Sequence, residues 1–208
     1  MVRLTAEQKR FYKENGFIKL SGIFSKSAMD EISAEYNRLF YLKNNEGMEA
    51  AWLGNDMKKA ANNTNYSVHS IHNLQFHSAI FSRLIHNENL LEALEDIMGT
   101  PNILLHHTKA HFKPAQKGAP YLMHQTKFPI ENATPISAER GDIVVFSYLL
   151  IHGSYINLSP SPRRMFLMQL MDADDQPLED THKSPGQGWV LRGHNDNRRA
   201  LMSERHLH

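Results

Sequence analysis

A β-sandwich or barrel fronted by a helical layer is the fold this sequence predicts, an α+β arrangement with the helices first and the strands later. Three observations predict it. Apolar residues recur at helical spacing in three stretches before Gly99; after it they gather into short runs; and those runs are separated by Pro, Gly and Ser. Helices followed by strands of this kind pack as a front layer on a sheet.

Thr5 followed three residues later by Gln8 forms a capping-box pattern, and Gly16 supplies a left-handed stop, so a short helix is predicted over 5–15. The strand FIKLSG follows. Ser25 then precedes Met29, Ile32, Tyr36, Leu39 and Phe40 at helical spacing, which predicts a second helix to about Lys43. Positions 44–66, rich in Asn, Gly and Lys, read as a mobile loop. In NENLLEALEDIMG the residues Leu90, Leu91, Leu94, Ile97 and Met98 fall on one face, giving a third helix that Gly99 ends. Beyond it NILLHHTKAHFKP, PYLMHQ, GDIVVFSYLLIHGS, RRMFLMQLMD and GWVLRG read as strands.

The 208 residues suit one domain with a sizeable core, 41% of them being apolar. A formal charge of +1 gives no electrostatic case for nucleic acid or an anionic membrane, so a small molecule is the expected partner. Cysteine is absent, which excludes disulfides and thiolate metal sites; a metal would need imidazole and carboxylate ligands. The charged amphipathic N-terminus has no apolar signal core, and no run reaches the roughly 18 apolar residues of a membrane span. A cytoplasmic location is expected.

Thirteen histidines stand in the chain. His69, His72, His77, His86, His182 and His194 lie in polar or helical contexts that suit surface or hydrogen-bonded roles, and the closing RHLH reads as a tail. His124 and His152 each end an apolar run, where an imidazole needs a metal or a hydrogen bond to offset burial. Two satisfied core histidines would also account for them. Favouring a ligand role, Ser154, Asn157 and Arg163 follow His152, and an arginine eleven positions downstream can return on a neighbouring strand as a two-pronged carboxylate donor.

LTAEQKRFYKENGFIKLSGIFS, HHTKAHFKP, MHQ and above all GDIVVFSYLLIHGSYINLSPSPRR resemble the phytanoyl-CoA dioxygenase family of non-haem iron, 2-oxoglutarate-dependent oxygenases over most of the chain. The resemblance implies a double-stranded β-helix (jelly roll) flanked by N-terminal helices. It implies Fe(II) held by His124 and His152, and 2-oxoglutarate whose far carboxylate meets Arg163 with Ser154 nearby and His107 as a further polar contact. The implied reaction hydroxylates a small molecule with dioxygen, releasing succinate and CO2. Lys109, Lys113 and Lys117 could meet an anionic substrate, although three lysines beside a strand also describe a solvated edge.

The family's third ligand is an aspartate two positions after the first histidine; here that position is Thr126. A hydroxyl is a poor replacement for a carboxylate on Fe(II). One explanation is a two-histidine site resembling the iron halogenases. Another is a missing block: a jelly roll places about four strands between the two histidines, roughly 32–48 residues, and only 27 residues separate His124 from His152. On this reading part of the core is missing between Gln125 and Thr126. A non-catalytic jelly-roll binding protein is the other alternative; a zinc hydrolase ranks below these, for want of a third ligand and a base.

Overall fold

The computed structural model describes residues 3–45, 69–116, 130–175 and 184–196. Helix α1 (Ala6–Asn15) starts at Thr5, whose side chain accepts from the Gln8 backbone while the Gln8 side chain accepts from the Thr5 amide, and Gly16 ends it in the left-handed region. Strand β1 (Phe17–Leu20) and helix α2 (Lys26–Asn45) follow, as the apolar spacing predicts. Helix α4 (Glu88–Met98) is capped by Asn87 and ended by Gly99. One strand and one α-helix escape the sequence reading: β2 (His69–His72), and α3 (Ala79–Ile85), whose cap Ser78 accepts from the Ile80 and Phe81 amides. Both are short, with four and seven residues, so periodicity has little to act on.

Strands β3 (Ile103–Lys113), β5 (Arg163–Asp172) and β6 (Trp189–Arg192) agree with the predicted runs. β4 covers only Ile143–Phe146, so the predicted strand through Ser154 stops early and His152 lies in the loop beyond it. β3 is the central strand. It pairs antiparallel with β5 along its length, while β2 takes its C-terminal half and β6 its start; β4 pairs instead with β1. The arginine return expected on a strand next to the His152 strand is therefore corrected: Arg163 begins β5, which lies beside β3 and not beside β4. PYLMHQ and almost all of the predicted 44–66 loop lie outside the described residues.

The helical layer covers one face of the larger sheet. Tyr36 stacks on Phe40 at 4.8 Å, Phe40 meets Phe112 at 5.5 Å and Phe81 meets Phe166 at 5.0 Å, while the Tyr36 hydroxyl donates to the His111 carbonyl. Asp96 ties α1 to α4 by accepting from the Leu4 amide at 2.8 Å and Lys9 Nζ at 2.6 Å. Phe81 is wholly buried at this helix–sheet contact. Replacing it by Ala should cost about 3–5 kcal/mol, read as a lowered urea midpoint; a loss within experimental error would show that the contact does not hold the layers together.

Candidate functional site

Alternation along β3 sorts its side chains onto two faces. Ala110 and Phe112 pack into the helical layer together with Phe166 and Met168 of β5. His107, Lys109, His111 and Lys113 point the other way, as do their cross-strand partners Gln169, Leu167, Met165 and Arg163 on β5 and His72 and Ser70 on β2. Contacts agree with this assignment: Ser70 Oγ lies 3.0 Å from His111 Nδ1, and the His72 and His107 rings stack at 6.3 Å. The inner face is thus basic and polar where the outer face is apolar.

At one end of this face Arg163 stands directly opposite Lys113. Lys113 is fully buried and donates to Ser154 Oγ at 2.7 Å and to the Tyr155 carbonyl at 3.1 Å. Asn157, also buried, donates from Nδ2 to the carbonyls of Lys113, Pro114 and Ser161, which fastens the loop after His152 to the end of β3. Lys113 thereby holds Ser154 at the end of the face where strand pairing sets Arg163, two of the residues expected to hold a dicarboxylate. His107 lies on the same face, six residues or about 20 Å along the strand from Lys113.

His152 is oriented from the opposite side. The left-handed turn at Gly16 presents its carbonyl to the Ser147 amide at 2.9 Å, and the Leu150 amide donates to the Ser147 carbonyl. His152 Nδ1 then lies 2.8 Å from the Leu150 carbonyl, with the ring 4.5 Å from that of Phe146. A carbonyl at Nδ1 makes that nitrogen the protonated donor, the arrangement a metal-bound histidine uses. The Nδ1 contact is compatible with the ligand role expected of His152. His124, Gln125 and Thr126 lie outside the described residues, among which no group of three His, Asp or Glu side chains is placed to hold an ion.

Burial sets the protonation of this face. It pushes Lys113 down to about 7, with Arg163 adding repulsion, and lowers Lys109. His107 and His72 are pushed down to about 4 by burial, helped by neighbouring basic groups, and His111 to about 3. The inner histidines are thus neutral at pH 7. Two expectations change here. Of the surface or hydrogen-bonded roles expected for His72 the surface one is excluded, since it is a half-buried inner-face residue of β2; and β3 is a central strand, so Lys109 and Lys113 do not line a solvated edge; Lys117 lies outside the described residues. The alternating His-Ser-Ile-His, with Ile71 in the core, was the one signal for His72.

Among solved structures, EctD from S. alaskensis with 2-oxoglutarate and 5-hydroxyectoine is 15% identical with a TM-score of 0.70, covering 92% of this chain and 84% of that one. The 2-oxoglutarate-dependent epimerase SnoN of nogalamycin biosynthesis is 15% identical with a TM-score of 0.67, covering 89% and 98%. HygX from Streptomyces hygroscopicus, with nickel and 2-oxoglutarate bound, is 14% identical with a TM-score of 0.60, covering 81% and 87%. The fold is that of the jelly-roll 2-oxoglutarate oxygenases, and Fe(II) and 2-oxoglutarate, the expected cofactors, belong to that class. The sequence profile of the phytanoyl-CoA dioxygenase (PhyH) family matches residues 12–128 and 125–165, and the chain belongs to that family. No curated protein matches the sequence. No helix among the described residues is long and apolar enough to cross a membrane.

The unfolded chain keeps the Lys113 proton up to about 10.5, whereas the folded one releases it near 7. Between these values the unfolded state binds more protons, so this group makes stability rise with pH. Lys113→Met should flatten that rise, its stability relative to wild type being greatest below pH 7 and shrinking toward about pH 10. Urea midpoints across this range check it; parallel profiles in the two proteins would contradict the burial of the amine.

Proposed function

We propose that this protein is an Fe(II)- and 2-oxoglutarate-dependent dioxygenase that hydroxylates a small molecule in the cytoplasm, releasing succinate and CO2. The observation that carries the reading is the convergence of Arg163, buried Lys113 and Ser154 at one end of the inner face, beside the loop that carries His152. His124 and His152 would hold the iron, which with dioxygen and cosubstrate supplies the oxidising power. The chain's own part is placement. Arg163 offers a planar two-pronged donor to the far carboxylate, Ser154 adds a hydroxyl, and Lys113 fixes that hydroxyl and adds positive charge. Met165 and Leu167 add two apolar side chains to a wall that is otherwise basic and polar. His107, well along β3 from Lys113, would meet the cosubstrate or substrate away from the carboxylate held by Arg163.

We infer that the chain lacks, between Gln125 and Thr126, a block that its family carries. Supporting this, the two family matches meet at 125–128, where the spacing argument puts the gap, and Thr126 occupies the aspartate position. The same threonine favours a second reading, a jelly-roll protein that binds small molecules without turnover, or a two-histidine halogenase-like iron enzyme.

Anaerobic titration with Fe(II) and 2-oxoglutarate separates these readings. A dioxygenase should develop a metal-to-cosubstrate charge-transfer band and release succinate in air; a binding module should do neither, and a halogenase-like site should require chloride. Arg163→Gln should weaken 2-oxoglutarate binding about ten- to a hundredfold, the value of one or two charged hydrogen bonds. Unchanged affinity would remove Arg163 from the cosubstrate site.

A further inference from the structure

Strand β4 is a sheet edge that the described residues leave open. Just past it, Ser147 donates its amide to the Gly16 carbonyl at 2.9 Å, which sets the phase of the β1–β4 ladder. Ile143 and Val145 therefore turn their backbone groups toward β1, while Val144 and Phe146 turn theirs away from it. Among the described residues β1 is the only strand paired with β4, so the outward N–H and C=O groups of Val144 and Phe146 have no ladder to join. All four β4 residues are half-buried, so folding leaves part of each in water.

Exposed edges are ordinarily protected by charge, proline or a bulge. The other edge strands follow this rule with polar side chains: β1 carries exposed Lys19, β5 Arg163 and Arg164, β6 Arg192, and β2 a histidine at each end. Ile-Val-Val-Phe has no such group. The lack extends beyond the strand, since the twenty residues from Ile143 to Pro162 include no Asp, Glu, Lys or Arg. Tyr148 and Leu149, directly after β4, are 89% and 73% exposed.

This edge is complementary to itself. About a two-fold axis at Val145, antiparallel pairing sets Val144 opposite Phe146 of a second copy, and Phe146 opposite its Val144. Those are the residues whose backbone groups point outward, so each pair exchanges two hydrogen bonds, with Val145 facing Val145 between them as a non-hydrogen-bonded pair. β4 brings no charge into the contact, and the formal charge of +1 adds little repulsion between copies. Tyr148 and Leu149 of each copy come against the start of the other copy's β4, which takes their apolar surface out of water. We propose that two copies of this chain associate as a two-fold dimer through antiparallel pairing of their Ile143–Phe146 edges. The proposal does not depend on the oxygenase reading.

Sedimentation velocity of the full chain from about 1 to 100 μM tests it. A species of twice the 23.9 kDa chain mass should form within this range. Tyr148→Lys combined with Leu149→Lys, both at exposed positions that folding tolerates, should raise the dimer dissociation constant at least about tenfold; Tyr41→Lys, on α2, should leave it unchanged. Because the chain has no cysteine, the register can be read directly. Val145→Cys should form an intermolecular disulfide with diamide, its facing Cα atoms lying about 4.5 Å apart. Val144→Cys should not, being displaced from its own counterpart by two residues, about 7 Å, along the strands. The proposal is overturned if the chain stays monomeric throughout the range, if the two lysines leave the dimer intact, or if Val145→Cys cross-links no better than Val144→Cys.

Discussion

The structure depends on the two-sidedness of one strand. β3 is flanked on both edges, so its backbone groups are paired, and its side chains alternate between two different surroundings. Ala110 and Phe112 close the helical layer, and with Phe81 and Phe166 they make the apolar contact that holds helices to sheet. His107, Lys109, His111 and Lys113, on the alternate positions, are drawn into the interior by the same folding event. The cost of desolvating those basic groups is met from the apolar face, and it leaves an inner wall that is basic and polar.

The loop between β4 and β5, which carries two of the residues proposed to bind metal and cosubstrate, is fastened at both ends. At one end Gly16 is needed because a left-handed turn must take the chain from α1 directly into β1, and its carbonyl then receives the Ser147 amide. At the other end Asn157 spends both hydrogens of its amide group on carbonyls of Lys113, Pro114 and Ser161, while Lys113 grips Ser154 and Tyr155. His152 and Ser154 are thus positioned by residues more than a hundred and about forty positions away in sequence, respectively. A cosubstrate site can be preorganised on an irregular loop only if such anchors hold it.

Three of the four described α-helices were legible because their signals are local. The Thr5–Gln8 capping box, the stops at Gly16 and Gly99, and the apolar stripe of Leu90, Leu91 and Leu94 all act within a few residues, and α1, α2 and α4 appear close to their predicted bounds, whereas the seven-residue α3 was not foreseen. The strands β3, β5 and β6 were legible as apolar runs. β2 was not, because four residues carrying two histidines and a serine look polar until Ile71 is seen in the core. Family membership was also readable, since the block from Gly141 to Arg164 carries its histidine, serine and arginine in fixed order.

What the sequence alone determined is therefore the set of chemical groups, their order and the local elements that carry them, including the absence of a carboxylate at Thr126. Which groups meet was decided only by the tertiary structure. Strand pairing is a long-range choice that no window of residues contains, and it set Arg163 opposite Lys113, put β5 beside β3 instead of β4, and turned His72 and Lys109 inward. A basic residue's meaning depends on what surrounds it after burial, and that is fixed by partners far away along the chain.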